Sequence, residues 1–264
     1  MKRNLSQERL GMINISNEGY EMKVIQYNNY HDIIIEFQDK YKAKICTQWK
    51  EFDKGKIKNP YHKSVFNVGY FGQGKYKSKD KNGKDTKAYK EWYYMLERCY
   101  DPYKLNKCPT YINVYVCNEW LCFQNFAEWF YKNYYEIKNE KMRLDKDILI
   151  KNNNIYSPNS CCFVPERINL LFIRSKNKRG EYPIGVTYRK RDNVLNVQCR
   201  IINKEGKRKN KYLGQFSANE SLQAFLVYKE FKENYIKQVA DEYKNLIPKE
   251  LYEAMYNYEV EIND

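Results

Sequence analysis

Histidine is nearly missing from this 264-residue chain, which carries only His31 and His62. His31 falls in an expected strand turn and His62 in a loop beside Pro60. Histidine acid–base chemistry would need one of them brought in from far away. Among the eight cysteines there is no Cys-x-x-Cys pair, and Cys117-x4-Cys122 comes nearest to a metal spacing. Small buried thiols are the plainer reading. The basic start Met1-Lys2-Arg3 is not followed by an apolar stretch, so neither a secretory signal nor a disulfide framework is expected. Wholly apolar runs such as Leu170–Ile173 are short, far below the ~20 residues of a membrane span. These absences predict a soluble protein of the cytoplasm with no membrane partner.

Cationic side chains are abundant. Lys and Arg number 47 against 33 Asp and Glu, a net charge of +14. That balance favours an anionic partner, and nucleic acid is the commonest one. Hydrophobic residues at 42% and aromatics at 16% suffice for real cores, so the chain is not a disordered basic tail. Tyrosine is frequent, but AT-rich codon usage also enriches Tyr, Lys and Asn, so its count alone says little about base stacking.

The length suggests two or three domains, and the patterns predict an α+β chain. Residues 1–57 hold a small N-terminal β meander, with strands expected at Tyr20–Tyr27, His31–Phe37 and Tyr41–Trp49. Residues 58–88, punctuated by Gly69, Gly72, Gly74 and Gly83 and rich in lysine, read as a basic linker. Residues 89–175 begin with helical stripes, Trp92/Met95/Leu96/Cys99 and Phe123/Phe126/Ala127/Phe130. A strand over Met142–Ile150, a polar turn and a helix from about Pro165 follow. Residues 176–246 predict strands at 183–190, 194–203 and 209–216, then one helix. In the middle strand Leu195, Val197, Cys199 and Ile201 alternate with Asn196, Gln198 and Arg200, so one face is buried and the other polar. Ser217-Ala218-Asn219-Glu220 reads as a capping box. The helix face is expected from Leu222, Phe225, Leu226, Tyr235, Ile236, Val239, Ala240 and Tyr243. Residues 247–264 form an acidic tail, either solvated or screening the basic face.

Charge concentrates over 176–211, where twelve cationic residues stand against three acidic ones, a net +9. Arg189 and Arg200 are placed on the sheet face left free by the helix. Arg191, Arg208 and Lys209 are placed in turns. With Gln198 and Lys211 these make the candidate DNA-binding set: Arg and Gln for base edges, Lys for phosphates. The plain alternative is a solubilising surface.

Gly185-Val186-Thr187-Tyr188-Arg189, Leu195-Asn196-Val197-Gln198-Cys199-Arg200 and Tyr212-Leu213-Gly214-Gln215-Phe216, followed by a helix with Ala224, resemble the Apetala/ethylene-response-factor DNA-binding domain. Leu195 stands where that family usually has tryptophan. The resemblance implies a three-stranded antiparallel sheet packed on one helix and laid in the major groove. It covers about a quarter of the chain.

Residues 144–169, with Leu144-Asp145-Lys146-Asp147, Tyr156-Ser157-Pro158-Asn159-Ser160-Cys161-Cys162-Phe163-Val164-Pro165 and Ile168-Asn169, resemble the HNH nuclease motif of phage and homing endonucleases. Trp92-x2-Met95-x2-Arg98-Cys99 and Val116-Cys117-x-Glu119-Trp120-x2-Phe123 are similar to the flank of phage members. This resemblance implies a central ββα unit with flanking helices, binding Mg²⁺ or Mn²⁺. Asp145 and Asn169 fall on its metal-ligand positions, Lys146 where the base histidine belongs, and Ser160 where the Asn orienting that histidine belongs. Asp147 is a further candidate ligand beside Asp145, or simply part of a hydrated turn. A free lysine needs its pKa lowered by roughly three units, about 4 kcal/mol, to act as a base near neutrality.

Three readings stand side by side. One is a phage or mobile-element double-stranded DNA-binding protein with a degenerate HNH core, nucleoid-associated in a bacterial host. The second is an active metal-dependent endonuclease with Asp145, Lys146 and Asn169 as its catalytic set. The third is a phage-borne inhibitor or regulator acting on a host protein or nucleoprotein.

Overall fold

Alternating apolar residues build the first sheet. After α1 (Leu5–Arg9), strands β1 (Ile13–Ile15), β2 (Glu21–Asn29), β3 (Asp32–Phe37) and β4 (Lys44–Thr47) pair antiparallel in chain order. Met22 and Val24 of β2 and Ile33, Ile35 and Phe37 of β3 share one buried face with Trp49 and Phe52 of α2 (Trp49–Asp53). The expected three-strand meander therefore gains a leading strand. Its last strand ends early, because Trp49 opens a helical turn that folds back over the face. The computed structural model describes residues 5–173 and 181–264 and divides into two compact units, Met1–Lys132 and Asn133–Asp264. Among the described residues no helix is long and apolar enough to cross a membrane.

Residues 58–88, read as a linker from their glycines, carry no named helix or strand before Lys87, yet they are fixed to the first unit. The Asn59 amide N–H donates to Glu18 Oε2 at 2.8 Å and its side-chain nitrogen to Asp39 Oδ2 at 2.8 Å. Tyr70 N donates to the Leu121 carbonyl and Phe123 N to the Tyr70 carbonyl, both at 2.9 Å. At Gly69 a Cβ would come within 2.5 Å of Leu96 Cδ1 and 3.0 Å of the Trp92 ring, so this glycine permits close packing. Helices α3 (Lys87–Tyr100), α4 (Pro102–Lys107) and α5 (Phe123–Asn133), with the short strand β5 (Tyr115–Val116), complete the unit. Both predicted aromatic stripes are core: Trp92, Met95, Leu96, Cys99, Phe123, Phe126, Ala127 and Phe130 are all buried.

In the second unit, β6 (Met142–Asp145) pairs antiparallel with β8 (Cys162–Pro165), which runs directly into α6 (Glu166–Leu171); β7 (Ile155–Tyr156) lies in the intervening loop. The strand expected to reach Ile150 stops at Asp145. Asp145 Oδ1 accepts from Asp147 N at 2.9 Å and Ile148 N at 2.8 Å, turning the chain before the strand can continue.

Strands β9 (Val186–Arg189), β10 (Val194–Ile202) and β11 (Arg208–Ser217) form an antiparallel sheet in the order β11-β10-β9, close to the predicted spans. The start of the 176–246 segment, including Lys176, Lys178 and Arg179, lies outside the described residues. Leu195, Val197 and Cys199 are buried against Ala224, Phe225 and Tyr228 of α7 (Ser221–Tyr243). Only half of the expected capping box is present. Glu220 Oε2 accepts from Ser217 N at 2.7 Å, but the helix begins at Ser221 without a side-chain cap. The buried face of α7 also differs from the expected one: Leu222 and Leu226 are exposed, while Tyr228 and Lys232 lie inside.

The acidic tail, expected to be solvated or to screen the basic face, is folded. It forms α8 (Lys249–Tyr256), whose Leu251 and Met255 are fully buried in a cluster with Ile236, Val239, Ile168 and Leu171. Beyond it Lys151 Nζ pairs with Glu261 at 3.1 Å and Asp264 at 3.0 Å.

Candidate nucleic-acid interface

In an antiparallel ladder, residues directly opposite each other share a face. The pairs Val194↔Arg189 and Asn196↔Thr187 put Arg189 and Thr187 on the side of β10 turned away from α7. On the other flank Asn196↔Gln215, Gln198↔Tyr212, Arg200↔Asn210 and Ile202↔Arg208 carry that face across β11. One surface thus collects Arg189, Gln198, Arg200 and Arg208, interleaved with polar side chains, and all four are exposed.

Arg208 and Lys209, expected in a turn, are instead the first two residues of β11, because its ladder extends to Ile202↔Arg208. The register shifts between Val197 and Gln198, leaving Leu213 as an extra residue. From that bulge onward every β11 side chain is turned over. Lys211 pairs with Cys199 and Lys209 with Ile201, so both lie on the helix side of the sheet although exposed to solvent. Arg191 lies in the β9–β10 turn, 84% exposed, beside Asp192 at 3.1 Å.

Local ion pairs differ between these residues. Arg189 Nε contacts Asp192 at 2.5 Å, and its terminal nitrogen donates to Gln215 Oε1 at 3.3 Å. Arg200, Arg208, Lys209 and Lys211 make no ion pair among the described residues. Arg167 of α6, which is 7% exposed, anchors the end of the sheet: it donates to the Ile202 carbonyl at 3.0 Å and pairs with Glu242 at 2.7 Å.

The candidate catalytic residues are spread over three places: Asp145 at the end of β6, Lys146 just after it, and Asn169 on α6. Asp145 ends β6 opposite Cys162; burial first, and then the charge of Asp147, push its carboxyl up to about 6. Lys146 Nζ donates to Asp147 Oδ2 at 3.1 Å and the Asn153 carbonyl at 2.7 Å. Ser160 does not orient Lys146: its hydroxyl bonds the Ile155 carbonyl at 2.9 Å and Ser157 Oγ at 2.8 Å. The organiser missed by sequence reasoning is Asn153, whose side chain donates to the carbonyls of Lys146 and Ile155 at 2.6 and 2.7 Å. Asn169 is half-buried on α6.

These residues supply only part of a divalent-cation site. Hard cations such as Mg²⁺ or Mn²⁺ ask for about six oxygen ligands, usually completed by water and substrate phosphates. Here Asp145 Oδ1 is committed to two backbone amides and Asp147 Oδ2 to an ammonium group. Among the described residues no three His, Cys, Asp or Glu side chains come together as a metal-ligand group.

Lys232 is a second residue that sequence reasoning missed. It stands four residues after Tyr228 and four before Ile236, in the middle of the buried stripe of α7. A lysine at core spacing was the available signal. In comparisons with known proteins the chain matches no family model, no curated protein and no solved structure.

Proposed function

We propose that this protein binds double-stranded DNA through the open face of the β11-β10-β9 sheet and does not cleave it. The observation that carries the reading is the cross-strand register, which puts Arg189, Gln198, Arg200 and Arg208 on one exposed face. Arginine and glutamine offer paired donors and acceptors to base edges, and the surrounding cations meet phosphates. Three exposed strands backed by a helix form a stiff platform of the kind that β-sheet readers lay in a groove. The weak fit of Asp145, Lys146 and Asp147 to a cation supports a core that positions the sheet rather than one that hydrolyses phosphodiesters.

The test measures duplex affinity between 50 and 200 mM salt. With about six phosphate contacts, affinity falls roughly 10³-fold over that range. Arg200→Ala relaxes sequence preference by about 1–3 kcal/mol at one position. Lys211→Ala, on the opposite side of the sheet, has the smaller effect. Salt-indifferent binding, or equal losses from both variants on specific and random duplex, removes the groove-reading assignment.

A metal-dependent endonuclease is the second reading. It is favoured by the β6–β8 pair leading directly into α6, with Asp145 closing the first strand and Asn169 on the helix. Supercoiled plasmid with Mg²⁺ or Mn²⁺ decides between the two. Nicking that disappears in Asp145→Ala and Asn169→Ala establishes the enzyme, and intact plasmid supports the binder.

A further inference from the structure

Beside the open face, the second unit contains a cavity of about 330 Å³. At about 30 Å³ per water, it has room for roughly ten waters, enough for a phosphate group and part of what carries it. It opens where β9 stops at Val186 and β10 continues alone, so Gln198 and Arg200 border it. Thr187 of β9, Arg208 and Asn210 of β11, and Asp264 of the tail are further polar or charged groups along it. Lys232 enters from α7.

Lys232 is the unusual member. It is 9% exposed, and among the described residues its ammonium has no hydrogen bond or ion pair. A buried, unpaired charge costs several kcal/mol and is normally avoided. The acid in the cavity does not relieve it: Asp264 Oδ2 is occupied by Lys151 Nζ at 3.0 Å and the Glu261 amide at 2.9 Å. The groups that act on Lys232 are the Cys199 thiol and, with further positive charge, Arg200. Burial, the largest effect, holds the Lys232 amine below its ordinary value; Cys199 opposes it and Arg200 adds to it. An anion in the cavity would compensate all three cations at once, and the neutral donors of Gln198 and Asn210 would complete its hydrogen bonds.

We propose that this cavity is a phosphate-binding site in which Lys232 is the buried cation and Arg200 and Arg208 are the rim. The inference goes beyond duplex binding and does not rest on it. The phosphoryl group has two possible sources, a free phosphate or phosphomonoester and a phosphodiester of a bound duplex.

The experiment titrates inorganic phosphate into the full-length chain by calorimetry at constant ionic strength, beside Lys232→Met. Methionine keeps all but the terminal atom of the side chain's length and removes the unpaired charge, so the variant is expected to be at least as thermally stable as the parent. Phosphate affinity is expected to fall about 10- to 100-fold, the effect of losing one charge-assisted hydrogen bond. Amide chemical shifts of the unaltered protein give a second readout, with phosphate moving Gln198, Arg200 and Lys232. The site is overturned if phosphate binds both proteins equally, if it binds neither, or if the shifts lie away from these residues. A blunt duplex without terminal phosphates separates the sources. Mutual displacement of phosphate and duplex assigns the cavity to a backbone phosphate, and simultaneous binding assigns it to a separate phosphoryl ligand. Phosphate binding without any duplex binding leaves this site standing and removes the DNA reading.

Discussion

Two single residues carry unusual constraints. Gly185 has φ +80°, and a Cβ there would lie 2.0 Å from Cδ2 of Tyr228. Its carbonyl also accepts from Gln198 N at 2.9 Å, holding the start of β9 against β10. Gly185→Ala therefore adds left-handed backbone strain to a clash with a buried ring, and should destabilise the chain by about 3 kcal/mol. A urea midpoint lowered at constant m would show it. Asp145 gives a pH signature. Its folded carboxyl is raised to about 6, above the unfolded value of about 4. The native state then binds the proton more tightly, so this contribution is fully present below pH ~4 and is lost as pH rises through ~6. Asp145→Asn keeps the acceptor for the amides of Asp147 and Ile148 and abolishes the titration. Thermal unfolding from pH 4 to 7 should show a flatter stability profile in the variant, by on the order of 2 kcal/mol. An unchanged slope would place the titration elsewhere.

At the scale of elements, the helices and sheets follow their patterns wherever one periodicity runs unbroken. The period of two in Leu195–Cys199 and the three-to-four spacing of Trp92–Cys99 gave both the element and its buried face, because each sequence pattern had one way to hide its apolar side; at the end of β10 the alternation fails, and Ile202 is buried in place of the expected Ile201. The candidate site was legible only in part. Arg200 could be placed because β10 alternates as far as that residue. Lys209 and Lys211 could not, because a one-residue bulge at Leu213 reverses the strand, and its one local sign, a glycine (Gly214) inside a strand pattern, does not fix the register. The tail misled for a different reason: its acidic side chains sit at the surface, while Leu251 and Met255 are fully buried. Four-residue spacing was present in that pair but was outweighed by charge. Leu251→Ala should cost about 3 kcal/mol, the usual range for a buried leucine. A loss under ~0.5 kcal/mol in denaturant titration would mean that α8 does not share the core of the second unit.

At the scale of the molecule, charge segregates within the second unit more sharply than between units. Residues 133–264 carry 24 cationic and 18 acidic side chains; outside 176–211 the count reverses to twelve against fifteen. The first unit is itself basic, with 23 against 15, and its lysines are spread over loops, strands and helices. Dispersed cations raise the association rate with any polyanion, whereas a cationic sheet amid acidic-leaning elements also fixes an orientation, since only one side is attracted. The two contributions separate by their salt dependence. If the sheet makes the close phosphate contacts, residues 133–264 expressed alone should bind duplex with nearly the slope of the whole chain, about −5 in log affinity against log salt for six contacts. The first unit should then change the association rate more than the slope. Fluorescence anisotropy across a salt series, with stopped-flow association, measures both. A slope halved in the fragment would instead put about half of the contacts on residues 1–132, and the sheet would then be one part of a longer cationic track.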